Sequence, residues 1–427
     1  MTIMDKFGKY YFTVSLVTLF FLATFGLGIA VGKWRFWPYT LLTAAQTALV
    51  SLVETGTISP KDRLVKPAAD APRERISISN AESVPVGYYA FSGWEERDKR
   101  YVAWLYNHVG EMLHTWSINY LMLDPDGPSN QSDAPHGLQL LSDGSIIINY
   151  SRGDVLARLD TCGQPVWVRS GVFHHMISVD EDGSMWTWRG DATAYGHHQY
   201  LLNFDPETGS TIREISLIDD IIRNSDYASM VFGVHSDFEP RNYEKDPPKS
   251  EDIFHPNDLE TLRSDMARMF PNFEAGDLLL SFRNLDLVTV IDSNAFELKW
   301  WSHGPWRYQH DPDFTVDGKI SVYNNNTSRE YSDIVKIDPS TRVMTNESLR
   351  RNLSFYNGWM GSHQYLADGA LLVASPGEGR AMVLSETGEK LLEFNNIISA
   401  DYNGRIQNAL WLPENFFDSM PSCSKTH

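Results

Sequence analysis

Cysteine is nearly absent from this sequence, since only Cys162 and Cys423 occur among 427 residues. Two cysteines cannot form a cysteine-rich zinc site, and their spacing excludes a thiol-redox motif. In an oxidising compartment the two would be able to pair as a disulfide, whereas in a reducing one they would stay free thiols. The sequence leaves both alternatives open.

Positive charge is also scarce, because 36 Lys and Arg residues stand against 55 Asp and Glu residues and give a net charge of -19. A surface this negative repels phosphate backbones, so we expect no nucleic-acid partner. It would also repel an anionic substrate, so any anion site needs local positive charge. The 42% hydrophobic and 21% charged content is typical of a folded chain and excludes overall disorder.

A long uncharged segment lies near the N-terminus, between Lys9 and Lys33. About 20 apolar residues span the hydrocarbon core of a membrane, and aromatic residues flank this segment at both ends. We therefore predict a short tail at 1–9 and a transmembrane helix at 10–32. The alternative is a cleaved signal peptide, but the apolar run is long for one and lacks a clear small-residue cleavage site.

The residues that follow, 33–85, combine two patterns. Residues 41–53 have an apolar face and predict a short juxtamembrane helix. Residues 57–85 contain four prolines and mixed charges, which is typical of a linker.

From residue 86 onward one pattern recurs: a histidine, an apolar–polar alternation, an Asp-Gly-type turn and a second apolar run. The copies are PHGLQLLSDGSIIINYSR from Pro135, HHMISVDEDGSMWTWR from His174, HPNDLE from His255, QHDPDFTVDGKISVYNN from Gln309 and SHQYLADGALLVAS from Ser362. Each copy predicts about four short strands, and such repeats of about 40–50 residues indicate propeller blades.

A sixth copy without the leading histidine covers 88–118, and strand 405–412 would close the ring by pairing with it. We therefore predict an all-β, six-bladed β-propeller over 86–417 with one N-terminal transmembrane helix. Residues 218–275 break the period and predict an insertion, and 418–427 form a C-terminal tail. A pair of packed β-sandwiches is the alternative, which the regular repeats disfavour.

The repeats place chemistry-bearing residues at one mouth of the channel, because the first strand of a blade lies nearest the axis. The histidines that begin this strand are His136, His175, His255, His310 and His363. The second strand ends at the same mouth, with Arg152, Arg189, Arg283 and Asn324. The pattern predicts a histidine ring with arginines beside it, although duplication of a structural histidine would give the same repeat.

Imidazole suits proton transfer, nucleophilic attack and metal ligation, whereas arginine binds oxyanions with two parallel hydrogen bonds. Arginines near the ring favour an anion over a metal ion, so we expect no metal and no redox cofactor there.

The stretch from His255 to Asn326 resembles the bacterial arylsulfate sulfotransferase (arylsulfotransferase) family. The resemblance is carried by HPND, LLLSFRNLDLVTVID, LKWW and QHDPDFTVDGKISVYNNN, and extends more weakly over 88–412. It implies a six-bladed periplasmic propeller that moves a sulfuryl group between phenols, without PAPS, through a sulfated histidine. The roles it implies are nucleophile for His310, sulfate binding for His255 and Arg283, and substrate binding for Asn257 and His175.

From the resemblance we expect a single-pass protein of the inner membrane with its propeller on the periplasmic side. The expected partners are an aryl sulfate donor, a phenolic or other hydroxyl acceptor and, given the anchor, components of a membrane complex. A non-catalytic propeller that scaffolds an envelope complex is the first alternative, and a histidine ring plugged by side chains would favour it. A quinoprotein-like or metal-dependent enzyme is the second, but no cofactor motif stands out.

Overall fold

A computed structural model of the chain describes residues 3–34, 63–124, 134–150, 155–191, 196–234, 252–366 and 368–423. Helix α1 (Ile3–Trp34) contains the predicted span, and its segment Tyr11–Ile29 is long and apolar enough to cross a membrane. The predicted juxtamembrane helix at 41–53 lies outside the described residues.

The remaining described chain is built mainly from short strands. In chain order these are β1 (Leu64–Val65), β2 (Ile76–Ile78), β3 (Tyr88–Glu95), β4 (Arg100–Asn107), β5 (Met112–Ile118), β6 (Pro135–Leu140), β7 (Ile146–Tyr150), β8 (Val155–Leu159), β9 (Pro165–Ser170), β10 (Phe173–Val179), β11 (Met185–Gly190), β12 (Gln199–Phe204), β13 (Thr211–Ser216), β14 (Pro256–Thr261), β15 (Leu278–Phe282), β16 (Leu287–Ile291), β17 (Leu298–His303), β18 (His310–Phe314), β19 (Ile320–Asn324), β20 (Asp333–Ile337), β21 (Met344–Asn346), β22 (Ser362–Tyr365), β23 (Leu371–Ser375), β24 (Arg380–Leu384), β25 (Lys390–Asn395), β26 (Asn403–Gly404) and β27 (Ile406–Leu412). The short helices among them are α2 (Tyr120–Leu123), α3 (Asp226–Phe232), α4 (Ser264–Ala267) and α5 (Glu347–Arg350).

Apart from the two-stranded β1–β26 sheet, these strands form six antiparallel sheets, which confirms the predicted six-bladed propeller. Blade one has the order β27-β3-β4-β5, so the C-terminal strand closes the ring as its innermost strand. Blades two to five are β6–β9, β10–β13, β14–β17 and β18–β21, and blade six is β22–β25 with β2 added at its outer edge. The innermost strands β6, β10, β14, β18, β22 and β27 contact one another in a closed circle.

The core is divided among the blade interfaces. Six apolar clusters lie in the described chain, and each fills the space between two neighbouring blades. For example, Ile147 and Leu156 of blade two pack on Phe173 and Leu202 of blade three. Because both faces of each sheet pack against a neighbouring blade, the second and third strands of the blades are nearly continuous hydrophobic runs.

Turns and bulges shape the inner hairpins. The Asp-Gly turns between first and second strands have glycines in the left-handed region, as at Gly144 (φ 83°) and Gly318 (φ 75°). The innermost strands also have register shifts at 135–138, 174–177, 256–258, 310–313 and 406–408. Strand β22 pairs without such a shift. A bulge re-aims the side chains at its position, so these five sites differ from blade six.

The segment predicted as a linker is ordered on the propeller from Arg63 onward. Strand β1 pairs with β26, and β2 pairs with β25 of blade six. Between them Asp70 accepts hydrogen bonds from Arg380 at 3.0 Å and from Lys390 at 2.7 Å. We call residues 63–78 the N-terminal strap.

The predicted insertion at 218–275 contains propeller strand β14, which divides it into two parts. The first part continues from β13 through helical turns into α3, and its described residues pack into the cluster between blades three and four. Residues 235–251 lie outside the described chain. The second part, between β14 and β15, carries α4.

The C-terminal tail passes blade two, where Cys423 is joined to Cys162 in a disulfide with a Cα–Cα distance of 4.9 Å. This separation lies within the range that a disulfide can bridge. The tail is also held by the Asp418 carboxylate, which accepts a hydrogen bond from Ser142 at 2.9 Å.

Candidate functional site

Four of the five predicted histidines meet at the bulges of the innermost strands. The ring centroids of His136 and His175 lie 4.4 Å apart, and those of His175 and His255 lie 4.9 Å apart. A cavity of about 20 Å³ is lined by His136, His175 and His310 together with Asn257. This is room for about one water molecule. We call these four histidines the histidine ring.

His310 is held in one tautomer by its neighbours. Its Nδ1 lies 2.7 Å from Asn325 Oδ1 and 3.2 Å from the carbonyl oxygen of Tyr308. The Asn325 amide is oriented because its Nδ2 donates to the carbonyl oxygens of Asn357 and Met360 at 2.8 and 2.6 Å. Both partners of Nδ1 are therefore acceptors, so Nδ1 carries the hydrogen and Nε2 carries the lone pair.

His255 is held between an acid and a base. Its Nδ1 is hydrogen-bonded to the Asp252 carboxylate, and its Nε2 lies 3.1 Å from Arg283 Nη1. The guanidinium also lies over the Tyr308 ring at 5.0 Å from its centroid. Because Nδ1–H of His255 donates a hydrogen bond to Asp252, Nε2 carries the lone pair. This lone pair accepts a hydrogen bond from Arg283.

A chain of hydrogen bonds also orients His175. Gln199 donates through Nε2 to Gly196, so its Oε1 accepts from His174 Nε2 at 2.8 Å. His174 Nδ1 then accepts from His175 Nδ1 at 2.6 Å, which leaves the Nε2 lone pair on His175. That atom lies 3.3 Å from His255 Nε2. Because Nε2 of His255 accepts from Arg283, neither of the two facing nitrogens donates to the other.

Burial keeps the ring neutral. Burial lowers the pKa of His136 to about 3 and that of His310 to about 3, with positive charge on neighbouring groups acting in the same direction. It also lowers the pKa of His255, although Asp252 opposes the shift. Neutral imidazole is the nucleophilic form of histidine, and burial holds His310 in this form.

Asn257 and Gln309 support the floor of this cavity. Asn257 Nδ2 donates to the Gln309 carbonyl oxygen at 2.7 Å, while its buried Oδ1 has no hydrogen-bond partner in the described chain. The Gln309 side chain donates to Ser281 Oγ and to the carbonyl oxygens of Phe282 and Leu287. These bonds tie the strand that carries His310 to blade four.

The other predicted site residues lie elsewhere. Arg189 forms an ion pair with Glu214 on β13, at 2.6 Å, and Arg152 lies outside the described residues. Asn324 accepts from the backbone of Arg307 and lines a separate cavity of about 740 Å³ that also includes Tyr308.

His363 is directed away from the ring, because β22 lacks the bulge that re-aims the other histidines. Its Nδ1 lies 2.9 Å from Asp311 Oδ2, and its Nε2 lies 2.7 Å from Ser321 Oγ. It faces a third cavity, of about 1020 Å³, that is also lined by Asp258, Glu260, Asp311 and Asp313. Burial raises the pKa of Glu260 to about 8 and that of Asp258 well above its usual range, with Asp311 adding to both shifts.

Sequence reasoning missed several residues at the ring. Asn325, the last residue of the repeat copy that begins at Gln309, positions His310, and Asp252, which precedes the copy at His255, positions His255. Gln407 and Asn408 line the ring cavity from the bulge of β27. A signal for the last two was present, because 405–412 was predicted to close the ring and its polar pair occupies the position of the histidines in other blades.

Comparison with known proteins identifies the family of this chain but finds no curated relative. The family model for arylsulfotransferase (ASST) matches residues 137–396. No curated protein matches the chain.

Solved structures match the chain at low sequence identity. A protein of unknown function from Bacteroides caccae has a TM-score of 0.50 and 11% identity, and the match covers 76% of this chain and 98% of that one. A putative 6-phosphogluconolactonase from Bacteroides fragilis has a TM-score of 0.41 and 12% identity, over 77% and 99% of the two chains. Virginiamycin B lyase from Staphylococcus aureus has a TM-score of 0.38 and 12% identity, over 67% and 86%. Such similarity carries no argument about activity, whereas the family match spans most of the chain and places this protein in the arylsulfotransferase family.

Proposed function

We propose that this protein transfers a sulfuryl group from an aryl sulfate to a hydroxyl acceptor through a sulfated His310. The observation that carries the proposal is the fixed tautomer of His310, whose Nδ1–H is donated to Asn325 so that the Nε2 lone pair is available. A nucleophile that is neutral, buried and oriented in this way suits attack on an electrophilic sulfur.

In the first half-reaction His310 Nε2 attacks the sulfur, an N–S bond forms and the bond from sulfur to the aryl oxygen breaks. The aryl oxygen departs as a phenolate, which takes a proton from solvent. Arg283 holds the sulfuryl oxygens and is oriented by the Nε2 lone pair of His255, since charge spreads over these oxygens in the transition state.

In the second half-reaction the acceptor hydroxyl oxygen attacks the sulfur and the N–S bond breaks. The acceptor proton is released to solvent, and His310 regains its lone pair. The net change is exchange of the sulfuryl group between two oxygens, so no redox cofactor takes part. The two half-reactions predict ping-pong kinetics.

We also propose that α1 anchors the protein in the inner membrane, with the propeller on the periplasmic side. The apolar stretch Tyr11–Ile29 supports the anchor, and the Cys162–Cys423 disulfide supports an oxidising compartment for the propeller. Protease treatment of spheroplasts tests this orientation, because it should degrade the propeller without lysis.

Trapping of the intermediate tests the sulfuryl transfer. Detergent-solubilised full-length protein is mixed with 4-nitrophenyl sulfate without acceptor, and the intact mass is measured. We expect a gain of one SO₃ group, mapped to His310 by peptide sequencing, and its loss when phenol is added. His310→Ala should show neither, while His108→Ala, in the β4–β5 turn of blade one, should behave as wild type.

A non-catalytic scaffold is the second candidate, and the small volume of the ring cavity favours it. About 20 Å³ is too little for a sulfuryl group unless side chains such as Met360 move. Wild-type protein that gains no mass and releases no 4-nitrophenol, over a panel of donors, would establish the scaffold reading.

A further inference from the structure

Asp258, Glu260, Asp311, Asp313 and His363 form a group that the proposed sulfuryl transfer does not use. We call it the acidic channel cluster. Its members come from the innermost strands β14, β18 and β22, and all five line the cavity of about 1020 Å³. We infer that the acidic channel cluster binds a divalent metal ion.

The first observation is the geometry of the donor atoms. Asp311, Asp313 and His363 each offer one ligand atom, and these atoms all lie within 4.8 Å of one another. This is the spacing of groups that share one ion. No other group in the described residues meets this test, including the histidine ring.

The orientation of His363 fits ligation. Its Nδ1–H donates to Asp311 Oδ2, and its Nε2 lies 3.5 Å from Asp313 Oδ2. A carboxylate that accepts from one imidazole nitrogen commonly orients the other toward a metal. The Ser321 hydroxyl, 2.7 Å from Nε2, is the group that the ion would displace.

The second observation is that the carboxylates have no lysine or arginine ion-pair partner in the described chain. Within the described chain, no Lys or Arg side chain forms an ion pair with any of the four carboxylates, whose only such partner is His363. The cations at the cavity wall have other partners: Lys319 and Lys336 pair with Asp317, and Arg350 and Arg351 pair with Glu347. Arg263 pairs with Asp265.

Asp258 makes this point most clearly. It is only 4% exposed, and no side chain donates a hydrogen bond to its carboxylate in the described chain, where only the backbone amide of Leu259 approaches it. A divalent ion would supply positive charge and ligand bonds to carboxylates that form no ion pair with a lysine or arginine, which repays the cost of burying them in ionised form.

The donor set also indicates the class of ion. Calcium and magnesium prefer oxygen ligands alone, whereas one imidazole with carboxylates suits manganese or zinc. We therefore expect Mn²⁺ or Zn²⁺ to bind more tightly than Ca²⁺ or Mg²⁺. Because the ligands lie on three innermost strands, the ion would link blades four, five and six next to His310.

Metal binding to EDTA-treated, full-length protein in detergent tests the inference. Titration calorimetry with MnCl₂ and ZnCl₂ should show one site per chain. At a hundredfold excess over Kd the melting temperature should rise by about 3–4 °C, the effect of ligand binding on a propeller of this size. Asp313→Asn should lower the affinity at least tenfold, while Asp317→Asn, which alters a half-exposed carboxylate of the same cavity, should retain it.

The outcome does not depend on sulfuryl transfer, because binding and melting are measured without substrate. The inference would be overturned if none of the four ions bound at one per chain. It would also be overturned if Asp313→Asn bound the ion with unchanged affinity. Asp313→Asn relieves repulsion among carboxylates, so the variant should fold and remain measurable.

Discussion

Asn325→Ala removes the side-chain acceptor of His310 Nδ1 and tests whether the tautomer of this histidine matters. Asn325 is fully buried and makes three side-chain hydrogen bonds, one from His310 and two to the carbonyl oxygens of Asn357 and Met360. Without Oδ1, the Tyr308 carbonyl oxygen remains the acceptor near Nδ1, at 3.2 Å.

The structure gives the expected size of the effect. Each lost hydrogen bond costs about 1 kcal/mol of stability, so the free energy of unfolding should fall by about 3 kcal/mol. Loss of the bond that selects the tautomer should raise the barrier to attack by about 1–3 kcal/mol. We therefore expect kcat/KM for an aryl sulfate to fall about 10- to 100-fold.

A matched control separates the two effects. Asn203→Ala removes another buried asparagine, which donates to Ser184 and Met185 in blade three. It should lower the melting temperature without lowering kcat/KM per folded molecule. Release of 4-nitrophenol gives the rate, and circular dichroism gives the folded fraction.

The pH profile provides a readout that a purely structural role would not move. The Asn325 hydrogen bond raises the pKa of His310 and partly opposes the lowering by burial. Asn325→Asp places a carboxylate there, so the acid limb of kcat/KM should move to higher pH, and in Asn325→Ala it should not. Full activity of Asn325→Ala, or an unmoved limb in Asn325→Asp, would refute the reasoning.

Other perturbations have equally specific outcomes. Arg283→Lys should lower kcat/KM about tenfold or more, because a point charge replaces the two-pronged donor, and an unchanged value would remove Arg283 from the site. Cys423→Ser opens a loop with a sequence separation of 261 residues and should lower the unfolding free energy by up to about 5 kcal/mol, measured against wild type with and without reductant. His136 and His310 have pKa values lowered to about 3, so the folded state binds fewer protons than the unfolded one below about pH 6.5. Stability should therefore fall with acidification, by about 3 kcal/mol for the two residues between about pH 7.5 and 5.5 in urea titrations, and equal stability at both would contradict neutral burial.

The repeat pattern was sufficient to predict the blades and their closure by 405–412, because period-2 alternation and Asp-Gly turns are local signals. It also placed His136, His175, His255 and His310 at one end of the channel. A bulge is not a local signal, since it depends on how two strands pair. That is why His363, equivalent in sequence, was grouped with a ring that it does not join.

Positioning partners were beyond the sequence for a related reason. Asn325 directly follows β19, and Asp252 lies shortly before β14. The repeats do not specify which side chains these two residues contact. The composition of the N-terminal strap did not predict its strands, because prolines and mixed charges are typical of a linker even where β2 adds to a sheet. Arg189 was assigned to the ring from its place at a strand end, whereas Glu214 on a neighbouring strand holds it.

The N-terminal strap has a mechanical consequence. Any pull on the chain ahead of Arg63 is borne first by the β1–β26 pair, then by the Asp70 ion pairs with Arg380 and Lys390, and then by the β2–β25 pair. All of these lie at the outer part of blade six or beside it, away from the strands that carry the histidine ring. Such tension is thus dissipated at the periphery of the propeller, and the nitrogens of the histidine ring keep their spacing.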